Sequence, residues 1–137
     1  MLTTLYKFCQ RTNCADGALP AAGLMQATNG NFYGTTSSGG LDDCYRDCGT
    51  VFRLSVGLGP FVKLVQPSGM VGGIEGILGQ GFKGTTSVLF NGVSASFKIV
   101  SNTLITATIP AGATSGFVTV TTPSGTLTSN MAFQVSQ

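Results

Sequence analysis

The sequence predicts an all-β fold, and three observations carry that prediction. Apolar residues recur at every second position through much of the chain, the spacing of half-buried strands. Asn-Gly, Pro and Gly turn signals interrupt these runs at intervals of about ten residues, the rhythm of a sandwich or barrel. No stretch carries the three- and four-residue spacing of an amphipathic helix.

Each element follows in chain order. Leu24-Met25-Gln26 and Phe32-Tyr33 flank Asn29-Gly30, a dipeptide suited to the positive φ angles of a two-residue hairpin turn. The same dipeptide, Asn91-Gly92, stands between Val88-Leu89-Phe90 and a run in which Val93, Ala95, Phe97 and Ile99 alternate with Ser94, Ser96 and Lys98. Ile105, Ala107 and Ile109 then alternate with Thr106 and Thr108, and Val118 and Val120 with Thr119 and Thr121. Met131, Phe133 and Val135 alternate with Ala132 and Gln134. Every run offers one apolar face and one small polar face, as half-buried antiparallel strands require. Pro110-Ala111-Gly112 and Pro123-Ser124-Gly125 are the turns that close later strands.

The composition changes at Gly57-Leu58-Gly59-Pro60. All four cysteines, all three tyrosines and every aspartate precede it; beyond it Glu75 is the sole acid. The expected organisation is a small β-meander over residues 1–56 and a second domain over 60–137.

Composition also excludes several functions. Charged residues make up 9% of the 137, against about a quarter in ordinary domains, while a hydrophobic share of 42% sets the chain apart from disordered sequences. The net charge is +2, and Lys7, Arg11, Arg46, Arg53, Lys63, Lys83 and Lys98 are scattered. Without a basic stripe, nucleic acid is not an expected partner. Histidine is absent, which removes the commonest general base and metal ligand. No apolar run is long enough for a spanning helix, so membrane insertion is not expected. Met1 to Lys7 lack the regions of a signal peptide, so an exported form would carry its leader elsewhere.

The cysteines form two local pairs, Cys9 with Cys14 and Cys44 with Cys48. Two short loop-closing disulfides are the favoured reading and imply an oxidising exterior. A four-thiolate zinc site would require both pairs to meet in space; free buried thiols are a third reading.

Two resemblances sharpen the picture. Pro67-Ser68-Gly69, Ile77-Leu78-Gly79-Gln80-Gly81-Phe82, Val88-Leu89-Phe90-Asn91-Gly92-Val93, Ile105-Thr106-Ala107-Thr108-Ile109-Pro110, Gly116-Phe117-Val118-Thr119-Val120 and Ser129-Asn130-Met131-Ala132-Phe133-Gln134-Val135 occur in one order. Together they resemble the IPT/TIG family of immunoglobulin-like domains. That resemblance implies a two-sheet sandwich of about seven strands, a spacer or binding role in exported bacterial proteins, and no general catalytic residues. One departure is Glu75, where the family carries an apolar or small residue; it implies a later strand start or a place at an open edge. The N-terminal part, through Thr4-Leu5-Tyr6-Lys7-Phe8-Cys9, Asp16-Gly17, Gly23-Leu24-Met25-Gln26, Asn29-Gly30-Asn31-Phe32-Tyr33-Gly34-Thr35-Thr36 and Gly49-Thr50-Val51-Phe52-Arg53-Leu54, resembles one unit of a GloVer-type secreted bacterial tandem repeat. This implies one blade of a β-propeller. A lone blade has unpaired edges, so residues 1–56 are expected to pack on the sandwich, pair with another copy, or remain partly disordered.

Candidate sites are few. Tyr6, Phe32, Tyr33 and Tyr45 are a candidate sugar-stacking platform, against the plainer reading of packing aromatics. Asp42, Asp43 and Asp47 could offer oxygens to calcium, but their spacing matches no EF-hand loop and Arg46 intervenes. The Thr35-Thr36-Ser37-Ser38-Gly39-Gly40 run has no histidine to activate a hydroxyl and no following helix to cradle a phosphate. The five acids Asp16, Asp42, Asp43, Asp47 and Glu75 do not suggest two carboxylates facing across a cleft, as a glycosidase needs.

The resulting expectation is a non-catalytic spacer of a secreted or cell-surface bacterial protein, without a cofactor. The alternative is a carbohydrate- or protein-binding module. Expected partners are other domains of the same polypeptide, a glycan or protein ligand, and a second copy through unpaired N-terminal strand edges.

Overall fold

The computed structural model describes residues 1–40 and 48–136. The chain forms two compact units: Met1–Ala27 with Asn31–Gly57, and Thr28–Gly30 with Leu58–Gln137. Apart from a 3-10 turn at Thr12–Cys14, the regular elements among the described residues are strands, as the periodicity predicts. No helix among the described residues is long and apolar enough to cross a membrane.

The first unit is one sheet. Its strands are β1 (Ala18–Pro20), β2 (Met25–Gln26), β3 (Phe32–Ser38) and β4 (Val51–Leu54). β3 is central. β1 and β2 pair with successive halves of it, through Ala18 with Ser38 and Met25 with Tyr33. β4 pairs with β3 from Phe32 opposite Leu54 to Thr35 opposite Val51. The β2–β3 hairpin is present where the sequence predicts one, but its turn is longer than the two residues expected of Asn29-Gly30. The Ala27 N–H donates to the Asn31 carbonyl at 2.9 Å, which leaves a three-residue loop with Gly30 at φ +84°.

The second unit is a two-sheet sandwich. Its strands are β5 (Lys63–Leu64), β6 (Ser68–Met70), β7 (Ile74–Leu78), β8 (Ser87–Phe90), β9 (Val93–Ser94), β10 (Phe97–Ser101), β11 (Leu104–Thr108), β12 (Val118–Thr122), β13 (Gly125–Thr128) and β14 (Gln134–Ser136). One sheet runs β10-β11-β7-β5, the other β13-β12-β8-β9, and β14 pairs in parallel with β6. At Asn91-Gly92 the expected two-residue turn forms: Phe90 faces Val93, and both turn residues have positive φ, 45° and 86°.

The run from Val93 to Ile99 reads as one strand but is two. β9 stays with β8, and the Ala95 N–H still donates to the Val88 carbonyl. The Ser96 carbonyl accepts from Thr108, and β10 then pairs with β11. The chain therefore crosses from one sheet to the other between Ala95 and Ser96, while Ala95 remains buried.

Inward positions alternate as predicted. Ile105, Val118 and Val120 are fully buried, joined by Ala107, Ile109, Val88, Ile77 and Phe82. Phe90 and Phe133 meet edge to face with centroids 5.2 Å apart, the arrangement their ring quadrupoles favour. Met131 breaks the pattern: it precedes the Phe133 bridge to Gly116 and stands exposed.

Glu75 corrects an expectation. It is neither before the strand nor at an edge, but inside β7, between β11 and β5 and facing inward with 1% of its surface exposed. Its Oε1 accepts the Gln66 N–H at 2.9 Å, so the carboxylate ties down the connection from β5 to β6. Burial pushes its pKa up, because a charged carboxylate is poorly solvated there, while the backbone N–H groups of Gln66 and Val65 oppose that shift.

Candidate functional site

A concavity lies in the first unit, beside a glycine that seats two of its side chains. Gly34 of β3 sits opposite Phe52 of β4. A Cβ at Gly34 would collide with the Phe52 ring and with Leu24, so only glycine lets both side chains lie across the sheet. Phe8 packs edge to face on Phe52, with centroids 4.8 Å apart, and Tyr6 on Phe8 at 5.1 Å. Arg11, Asp16, Leu24, Arg53 and Leu54 join them around a hollow of about 700 Å³.

Asp16 organises the polar side of this hollow. Its carboxylate accepts the Tyr6 O–H at 2.8 Å and the N–H groups of Gln10 and Arg11 at 3.1 and 3.2 Å. Desolvation acts to raise its pKa, but these hydrogen bonds to the charged form outweigh it and bring the carboxyl down to about 2. The same bond holds the Tyr6 phenol above its ordinary value of 10, since ionising it would lose a donor and place two negative charges together. Cys9 and Cys14 are bonded as a disulfide, and the Cys9 N–H donates to the Gly17 carbonyl at 2.9 Å. The disulfide and the Asp16 hydrogen bonds fix the loop between Phe8 and β1.

The proposed platform is only partly assembled. Tyr6 lines the hollow. Phe32 and Tyr33 are successive residues of β3 and point to opposite faces of the sheet, so they cannot form one stacking surface. Tyr45 lies outside the described residues, as do Cys44, Asp42, Asp43 and Asp47. Tyr6 meets Phe8, and Phe8 meets Phe52; the sequence gives no direct sign of either ring beyond Gly34, whose missing side chain marks the seat of Phe52.

The remaining candidates serve structure. The Thr36 hydroxyl accepts the Thr50 N–H at 2.8 Å and donates to the Ser38 carbonyl at 3.0 Å, so it splices β3 to the residue before β4. The Cys9–Cys14 bond uses two of the four thiolates a zinc site would need.

The family model for the IPT/TIG domain matches residues 60–135. The chain belongs to the IPT/TIG domain family. Its sandwich is the immunoglobulin-like fold of that family. No curated protein matches the chain. Among solved structures it is similar to a gamma-CGTase from alkalophilic Bacillus clarkii, at 26% identity and a TM-score of 0.46, over 64% of this chain and 14% of that one. It is also similar to SGBP-B from a complex xyloglucan utilization locus in Bacteroides uniformis, at 18% identity and a TM-score of 0.45, over 79% of this chain and 30% of that one. The chain thus spans less than a third of the length of either protein.

Proposed function

We propose that the chain is a non-catalytic module of an exported bacterial surface protein, in which the IPT/TIG sandwich acts as a spacer and the first unit closes an array of propeller-like repeats. The observation that carries this reading is how the two carboxylates among the described residues are used. Glu75 is committed to the Gln66 N–H inside the sandwich, and Asp16 to Tyr6, Gln10 and Arg11. A general acid needs a proton to give and a cleft to give it in; both groups are instead spent on holding backbone. The Cys9–Cys14 disulfide supports an oxidising compartment. On this reading the domains divide near 1–56 and 60–137, and the partners are neighbouring domains of the same polypeptide.

The test is the coding sequence around this chain together with a secretion assay. An export leader and further copies of the N-terminal unit are expected, and a cytoplasmic product without further copies would overturn the proposal.

A second reading has its own support. The hollow joins apolar faces with Tyr6, Arg11 and Asp16 at its margin, a combination that suits a glycan or protein ligand. A glycan array probed with the chain is expected to give hits reduced by Tyr6→Ala, and an array without hits would count against a sugar ligand.

A further inference from the structure

We propose that the open edge of β4 accepts the N-terminal segment Thr3–Phe8 of a second copy of this chain as an added strand. The proposal rests on the repeat reading above and names the donor and the acceptor of its self-association.

Three observations lead to it. The hollow is lined by Phe52, Arg53 and Leu54, three consecutive residues of β4, and by residues 3–6. Consecutive strand residues point to opposite faces, so a single hollow that reaches all three lies along the strand edge. Among the described residues β4 pairs only with β3, which leaves that edge with open hydrogen-bonding groups.

The donor shows the complementary deficit. The backbone of residues 1–8 belongs to no strand among the described residues, and Leu2 and Leu5 are 99% and 65% exposed. The segment's side-chain contacts within the chain, Tyr6 on Asp16 and Phe8 on Phe52, are the ones donation would exchange for the same contacts in the second copy. The segment Thr3-Thr4-Leu5-Tyr6-Lys7-Phe8 is rich in Thr and aromatic residues and has no Pro or Gly, so it can pair as a strand.

The energetic need is plain. Every buried apolar side chain among the described residues, from Val62 to Phe133, lies in the second unit. Among the described residues the first unit has a sheet without a buried apolar core, whereas stable architectures pack at least two layers.

Only one edge is fit for this. On the other side of β3, β1 contains Pro20 and places Leu19 at φ +55°, and β2 is two residues long. Such edges resist pairing. β4 has no blunting feature, and Val51 is 76% exposed. Adding one strand beside β4 takes the sheet from four strands to five and satisfies the open edge. Each copy holds one donor and one acceptor, so the contact is head to tail.

The test uses two variants at exposed positions. Lys7→Pro spoils the donor by removing a strand N–H and alters no residue that lines the hollow; Val51→Lys places a charge on the acceptor edge and keeps the donor. Sedimentation velocity of the whole chain should show concentration-dependent association, with rising amide protection at Val51–Leu54. Each variant alone should associate at least about tenfold more weakly with an unchanged circular dichroism spectrum, and an equimolar mixture of the two should recover a 1:1 dimer. A wild-type chain that stays monomeric, variants that associate as well as wild type, or a mixture that stays monomeric would each overturn strand donation. The repeat reading falls on a different result, a gene without further copies, so the two failures are separable.

Discussion

Glu75 is the residue at which sequence and solvation pull hardest against each other. The folded sandwich binds its proton more tightly than the unfolded chain, whose carboxyl titrates near 4.5. Its contribution to stability is therefore full below that value and lost as pH rises through the higher folded pKa. Glu75→Gln keeps an oxygen for the Gln66 N–H and cannot ionise. It should flatten this dependence and raise stability at neutral pH by on the order of 1 kcal/mol. Urea midpoints of both proteins between about pH 4 and 8 decide it; a variant whose midpoint still falls with pH would show that another group is responsible. Asp16 has the opposite sign. Its carboxyl sits near 2 in the folded chain against 3.8 unperturbed, so its stabilisation of the Phe8-to-β1 loop is present above 3.8 and lost as pH falls toward 2. Asp16→Asn should bring the Tyr6 phenol back toward 10, visible as a change in the ultraviolet titration of the tyrosines. An unchanged titration would mean the Tyr6–Asp16 bond is not formed in solution.

At the scale of elements, the turn at Asn91-Gly92 shows how much of the sandwich was legible. Asn91 accepts φ 45° and its amide donates to the Thr114 hydroxyl at 2.9 Å and the Ser115 carbonyl at 3.1 Å. Asn91→Ala loses both bonds and should cost about 1–2 kcal/mol in a denaturation experiment; a loss below about 0.5 kcal/mol would mean that water replaces them fully. The dipeptide itself announced the hairpin, because few other residues tolerate that geometry. The sheet change at Ala95–Ser96 was illegible for a physical reason: the alternation of Val93, Ala95, Phe97 and Ile99 keeps its inward parity through the crossing, so periodicity carries no mark of it. Met131 was misread because parity alone was used, and the bridge pairing Phe133 with Gly116 is a long-range contact. The hollow was half legible. Tyr6 was singled out by its chemistry, whereas Phe8 and Phe52 depend on which strand faces Gly34, a matter of register. Glu75 was noticed as a departure, but its burial depends on the Gln66 N–H, which no local pattern reveals.

For the molecule as a whole, the two units differ in what holds them. The IPT/TIG sandwich has the buried aliphatic and aromatic core, and removing part of it, as in Phe133→Ala, should cost about 3–5 kcal/mol. The first unit relies on strand pairing, the Asp16 hydrogen bonds and the Cys9–Cys14 disulfide. Closing so short a loop, with a separation of five residues, restrains the unfolded chain by about 2 kcal/mol on the loop-entropy account. That is a large share for a unit with no buried apolar side chain among its described residues, and a negligible one for the sandwich, which holds no cysteine. Reduction should therefore separate the two. In hydrogen exchange on the dilute chain, amides of Phe32–Ser38 and Val51–Leu54 are expected to lose protection when a reductant is added, while those of Leu104–Thr108 and Val118–Thr122 keep theirs. Equal loss in both units would mean that they unfold as one cooperative body, and no loss in either would mean that the first unit is held by apolar packing after all.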